Sequence, residues 1–389
     1  MSITTPKGFV AAGLAAGIKG GGVPDLALVA TDDGLPVPTA ATFTRNLAAA
    51  PPVVVSRSHL AFSGGLAAAV LVSSGNANAA TGAAGVRDAE RMCALAGEGL
   101  GVAPEAVLVC STGLIGYPLP MGVIEAGIPE LVARRSGGGA SAADAAAGIL
   151  TTDSSRKEAL VAANGFTVAG MAKGAGMLAP DMATMLAFLT TDAAVDPATL
   201  AGVLRGAVDR SFNAMTVDGC TSTNDTVVLL ASGRSGVADV PALSAAVEEV
   251  CAGLAGQMAA DAEGASKLVH VRVTGATSDG DAHRAARKVA ESQLVKCSFN
   301  GEDPYWGRVV SELGTAGVPF EMDRVTIAYG GTTVCRQGVA AAHDDAAVRA
   351  HLAGPVVDLH CDLGLGDGSG VVLTVDLGHG YIDENRTTS

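Results

Sequence analysis

Apolar and polar positions follow one another along the chain in two rhythms. Short apolar runs bounded by glycine, proline or small polar residues read as strands: Val53–Val55, Leu66–Val72, Ala106–Cys110, Val227–Leu230, Val269–Val273, Val325–Ala328 and Val371–Val375. Longer stretches with helical spacing lie between them: Val86–Leu100, Ala140–Leu150, Pro197–Arg210, Val240–Asp261 and Asp281–Val295. Pro197–Arg210 has a good start signal. Asp196 can cap it, and Pro197 takes the first helical position, where a missing N–H costs nothing. Gly137–Gly139 predicts a loop ahead of the second of these helices. No internal repeat, heptad series or Pro/Ser linker is present. Helices alternating with strands predict a layered α/β or α+β fold, with the sheet order left open.

Length and composition narrow the picture. At ~150 residues per domain, 389 residues make two or three packed lobes. A hydrophobic fraction of 49% against 16% charged excludes a disordered chain. Aromatics are only 3%, so the core has to be built from Ala, Val and Leu. The net charge of −14 argues against a nucleic-acid partner and is compatible with a cationic small substrate. Seven scattered cysteines without a CxxC read as reduced thiols of a cytosolic protein, and the histidines form no zinc pattern. The uncharged stretch between Arg57 and Arg87 is no membrane span, because its apolar part stops at Val72 and meets Ser73, Ser74, Asn76 and Asn78. No signal peptide is visible at the start.

The most unusual segment is MAKGAGMLAPDMATMLAFLTTDA, Met171–Ala193. By composition Met182–Leu189 is an apolar core helix or strand. Three details resist that reading: the hydroxyl of Thr184 inside the run, the small Ala183 before it, and Lys173 in a glycine-flanked turn upstream. The pattern KGxGMxxPxMATMLxFxxTDA resembles the signature of the ornithine acetyltransferase family, the bifunctional glutamate N-acetyltransferases of arginine synthesis. Other family-like segments occur in order: FTRN (Phe43–Asn46), SSGNANAATG (Ser73–Gly82), CSTGLIG (Cys110–Gly116), TTD (Thr151–Asp153), SFNAMTVDGCTSTNDT (Ser211–Thr226), DAEGASK (Asp261–Lys267), LVKCSFNGEDPYWGR (Leu294–Arg308) and YIDEN (Tyr381–Asn385). One departure is Tyr305, where the family usually has Asn.

The resemblance implies a self-cleaving α+β layered sandwich of the N-terminal-nucleophile type (DmpA/ornithine acetyltransferase-like) with a smaller C-terminal lobe. The chain would be cut between Ala183 and Thr184 into an α chain, 1–183, and a β chain, 184–389. Two of each would form an α2β2 heterotetramer in the cytoplasm. The implied reaction carries an acetyl group from N2-acetylornithine to glutamate through acetyl-Thr184. No metal or organic cofactor is required, and acetyl-CoA is a co-substrate only in a bifunctional version. The family's oxyanion hole maps to Thr112 and Gly113. Its substrate contacts map to Thr151, Lys173, Thr184, Glu263, Asn385 and the terminal Ser389.

These residue types suit such chemistry. A hydroxyl needs a nearby base to become a nucleophile. Cleavage before Thr184 frees an α-amine with a reference pKa of ~7.7–8.0, close to working pH. Nucleophile and base then share one residue, and a β-branched threonine holds its hydroxyl stiffly. Lys173 can hold a carboxylate; Glu263 can hold an ammonium or tune the Thr184 amine. A related amidase or aminopeptidase would use the same groups with water as acceptor. A paralogous acetyltransferase of another pathway, or a binding module without catalysis, are the remaining alternatives.

Overall fold

The computed structural model describes residues 2–178, 185–236 and 239–387. The chain divides into two compact units, one of Met1–Asn213 with Thr221–Met258, the other of Ala214–Cys220 with Ala259–Thr387. The predicted cut falls inside the first unit rather than at a boundary between units.

The strands of the first unit are β1 (Phe9–Leu14), β2 (Leu26–Thr31), β3 (Val37–Phe43), β4 (Leu66–Ala67), β5 (Ala69–Asn76), β6 (Val107–Leu114), β7 (Lys157–Ala163), β8 (Phe166–Lys173), β9 (Leu186–Thr191) and β10 (Thr226–Ala231). They form two sheets, ordered β1-β2-β5-β6 and β4-β3-β10-β9-β8-β7. The β5–β6 and β9–β10 pairs are parallel and the rest antiparallel. Alternate residues of the first sheet enter different cores. Val70, Val72 and Leu108 pack with Phe188 and Val228 of the second sheet and with the helix Gly139–Gly148. Leu71 and Val109 pack on the outer helices Gly82–Leu100 and Met121–Ala133. Strands covered on both faces read as continuous apolar runs, which is why Ala69–Val72 shows no alternation; the expected strand Leu66–Val72 is in fact divided, Leu66–Ala67 being β4 of the second sheet and Ala69–Val72 belonging to β5 of the first. Helices Pro197–Arg210 and Val240–Ala260 accompany the second sheet: the first lies against β3, and Leu254 and Val250 of the second approach Gly170. The unit is thus a layered α/β sandwich, as expected.

The second unit carries β11 (Leu268–Ala276), β12 (Thr326–Tyr329), β13 (Thr332–Arg336), β14 (Val339–Ala340), β15 (Val356–Asp362) and β16 (Gly368–Val375). Their order is β14-β13-β12-β15-β11-β16. The helix Asp279–Glu291 lies on this sheet through Ala282, Ala285, Ala286 and Val289.

Two further local expectations are corrected. Val53–Val55 is not a strand but part of the helix Pro51–Phe62; Pro51 and Pro52 start it, and Val53 and Val55 are buried while Val54 faces solvent. The stretch Asp281–Val295 is two helices, Asp279–Glu291 and Gln293–Asn300. Between them Ser292 turns to an extended conformation, and its hydroxyl caps the second helix by accepting from the Val295 N–H. Asp196 caps Pro197–Arg210 as predicted, accepting from the N–H groups of Ala198 and Thr199. Among the described residues no helix is long and apolar enough to cross a membrane.

Candidate active site

In the first unit, the parallel register of β5 and β6 puts Ser74 beside Thr112 and Gly75 beside Gly113. The backbone at Gly113 has φ +126°, and a Cβ there would lie 2.3 Å from the carbonyl carbon of Gly75. Only glycine fits both the conformation and the approach. Thr112 is buried, and its hydroxyl accepts a 3.1 Å hydrogen bond from the ammonium of Lys173. That leaves the Thr112 hydroxyl hydrogen to be given elsewhere. CSTGLIG therefore begins inside β6 and runs off its end into a turn. Lys173, expected in a turn, is instead the last residue of β8 and only 3% exposed. β8 is covered on both faces, so its final side chain is buried too.

A buried ammonium needs nearby negative charge. Asp153 supplies it. Its carboxylate accepts 2.6 Å bonds from the Lys157 ammonium and the Gly174 N–H, and one of 3.1 Å from the N–H of Thr151. Burial works to raise this carboxyl, but the ammoniums of Lys173 and Lys157 and these hydrogen bonds win and hold it below the usual carboxylate range. Lys19 adds a third cation, whose pKa burial pushes down while Asp25 and Asp153 support its charge. It donates to the carbonyl of Leu150, next to the half-buried Thr151. In the sequence Asp153 stands out only as part of TTD; its role as counter-charge is visible once Lys157 and Gly174 are folded against it.

Ala183 and Thr184 lie outside the described residues. The N–H of Met185 donates to the Asp225 side chain at 3.0 Å, and its carbonyl accepts from the Thr226 N–H at 3.2 Å. Burial pushes the Asp225 carboxyl well above its ordinary range, against the Met185 N–H and the Lys173 charge. The preceding residue, Asn224, donates from its side chain to the carbonyls of Ala77 at 2.6 Å and Ser111 at 2.9 Å.

In the second unit, Glu263 accepts a 3.0 Å hydrogen bond from the Asn385 side chain, pairing two residues that lie 122 positions apart. Glu263 also lines a cavity of about 580 Å³ together with Asp218, Lys296, Asp376 and Tyr381. Tyr381 donates to Asp218 at 3.4 Å; burial, then the charges of Asp218 and Glu263, push its phenol up to about 12. The Lys296 ammonium donates to the Val217 carbonyl, and burial lowers its pKa to about 8. Asp376 is saturated by Ser266, the Lys267 N–H and Asn300, which keep its carboxyl below its ordinary range against burial. Ser389 lies outside the described residues.

The ArgJ family, by its family model, matches residues 10–387. The chain belongs to the ArgJ family. It is 47% identical over 394 residues to the arginine biosynthesis bifunctional protein ArgJ of Mycolicibacterium paratuberculosis, covering 100% of this chain and 96% of that protein. The protein of the same description from Thermobifida fusca is 46% identical over 390 residues, with 100% of both chains covered. A solved structure of the arginine biosynthesis bifunctional protein argJ from Bacillus halodurans is 34% identical over 51% of this chain and 96% of that chain, with a TM-score of 0.49. Family membership thus agrees with the resemblance carried by the motifs.

Proposed function

We propose that the chain is a self-cleaving acetyltransferase of arginine biosynthesis, taking the acetyl group from N2-acetylornithine and giving it to glutamate. Full-length similarity to bifunctional ArgJ proteins supports the activity. The observation that supports the chemistry best is the buried contact between Lys173 and Thr112. An ammonium donating into the Thr112 oxygen polarises the hydroxyl as a donor, and it does so beside the N–H of Gly113.

In this reading the chain is cut between Ala183 and Thr184. The Thr184 oxygen attacks the acetyl carbonyl carbon, and its proton passes to its own α-amine. Thr112 and Gly113 hold the oxyanion. The carbon–nitrogen bond breaks, the α-ammonium protonates the leaving amine, and ornithine departs. The amine of glutamate then attacks acetyl-Thr184, the Thr184 oxygen leaves and recovers its proton, and N-acetylglutamate is released. Thr151, Lys173, Glu263, Asn385 and Ser389 serve the substrate. No metal or organic cofactor takes part, and acetyl-CoA serves as an alternative acetyl donor in the bifunctional case. The cut α and β chains assemble as α2β2 in the cytoplasm.

The test is Thr184→Ala. On a denaturing gel this variant should run as one uncut chain, and it should form no acetylglutamate. An uncut variant that still transfers acetyl groups would overturn the mechanism. Acetate in place of acetylglutamate from the unaltered protein would mark a hydrolase instead.

A further inference from the structure

We propose that Asn224 and Asp225 form a positioning pair that fixes the spacing between the chain at Met185, just after the proposed nucleophile, and the strand that carries the oxyanion donors. The inference rests on the acyl-transfer reading above. Asp225 accepts the N–H of Met185, and Thr226 donates to the carbonyl of the same residue. Both contacts hold the backbone of Met185, the residue that leads into β9. Asn224 does the corresponding thing on the other side. It holds the carbonyl of Ser111, and that carbonyl shares a peptide plane with the N–H of Thr112. Its second bond, to Ala77, ties in the chain just beyond β5. Two consecutive residues thus span the segment that follows the nucleophile and the strand that ends in the oxyanion donors.

Asn224 and the backbone of Asp225 are themselves held in place. The Asn224 N–H donates to the Ser222 hydroxyl at 3.1 Å, and Thr223 donates to the Asn224 side-chain oxygen at 2.6 Å. The backbone carbonyl of Asp225 accepts from the Thr44 N–H at 3.0 Å. Asn224 is 5% exposed and Asp225 fully buried. Burying an amide and a carboxyl is costly unless they are hydrogen-bonded, and here they pair with the carbonyls of Ala77 and Ser111 and the N–H of Met185. Acyl transfer has the matching need: displacing a reacting group by ~1 Å costs roughly 10²-fold in rate. Asn keeps a side-chain oxygen that can accept the Met185 N–H, which makes it the conservative substitute for Asp225.

The test uses the full-length protein with Asn224→Ala, Asp225→Leu and Asp225→Asn. Three things are measured: the fraction of chain cut, kcat and KM for acetyl transfer per cut chain, and the thermal melt. Asn224→Ala and Asp225→Leu should remain largely uncut. The cut fraction should show kcat down roughly 10²-fold with KM within about threefold. Asp225→Asn, whose side-chain oxygen still accepts from Met185, should cut and should recover kcat to within about fivefold of the unaltered protein. Folded Asn224→Ala with unchanged cutting and kcat would overturn the proposal. So would Asp225→Asn as impaired as Asp225→Leu, since charge and not hydrogen-bond acceptance would then be what matters. If Asp225→Leu does not fold, the other two variants decide. The unaltered protein is run alongside; if it neither cuts before Thr184 nor transfers acetyl groups, it is the acyl-transfer reading that falls.

Discussion

Thr112 is the residue at which the chemistry of the first unit can be probed with least disturbance. Its backbone belongs to β6 and stays paired whatever the side chain, while its hydroxyl is the group that Lys173 meets. Thr112→Ala should therefore fold normally and slow acetyl transfer by roughly 10²-fold, read as kcat; Thr112→Ser should recover most of the loss. An unchanged kcat in the alanine variant would remove Thr112 from the oxyanion role. In the second unit, Asp376 offers a test by pH. Burial acts to raise its carboxyl, but hydrogen bonds from Asn300, Ser266 and Lys267 outweigh it, so the folded pKa lies below the unfolded value. Such a group stabilises the fold above its unfolded pKa of ~3.9, and the contribution fades as pH falls through the lower folded value. Asp376→Asn should cost about 2 kcal/mol at pH ~7, seen as a lower urea midpoint, and the gap to the unaltered protein should narrow at pH ~3. A gap independent of pH would contradict the assignment. The identities of Thr112, Gly113, Lys173 and Glu263 are legible in the sequence through their motifs. The burial of Lys173 and its counter-charge at Asp153 are not, because they depend on β8 being covered on both sides.

Among the elements, local sequence decides the outcome where capping or periodicity is strong. Pro197–Arg210 begins where Asp196 and Pro197 say it does. The failures have specific causes. Three consecutive valines suggest a strand, yet Pro51 and Pro52 fix helical backbone first and the core takes Val53 and Val55 from one helix face. Ser292 is a helix residue by periodicity and a cap by its hydroxyl, and the cap prevails. Ser278 shows the same device without ambiguity. It precedes Asp279–Glu291 and accepts from the Asp281 N–H at 3.1 Å. Ser278→Ala should cost about 1 kcal/mol of stability in chemical denaturation, with kcat unchanged. A loss below about 0.3 kcal/mol would mean that water replaces the cap.

For the whole molecule, the proposed cut has a consequence that sheet order makes concrete. β8 precedes the cut and β9 follows it, and the two pair antiparallel through Val168–Lys173 and Leu186–Thr191. β3, from the first segment, pairs with β10 from the second. The two products would therefore share one sheet and its hydrogen bonds. We expect them to co-elute on gel filtration in native buffer and to separate only in denaturant; free α and β chains in native buffer would contradict this interleaving. The sequence by itself determined which segments are apolar enough for buried strands, where the best-capped helix starts, and which residues carry family-like chemistry. Those properties are local: residue type and spacing suffice to express them. Only the tertiary structure decided that Lys173 meets Thr112 across 61 positions, that Asn224 reaches Ser111 across 113, and that Asp225 holds the residue after the proposed nucleophile. These contacts depend on strand order and register, which arise when distant apolar faces are buried together and their backbone groups must find partners.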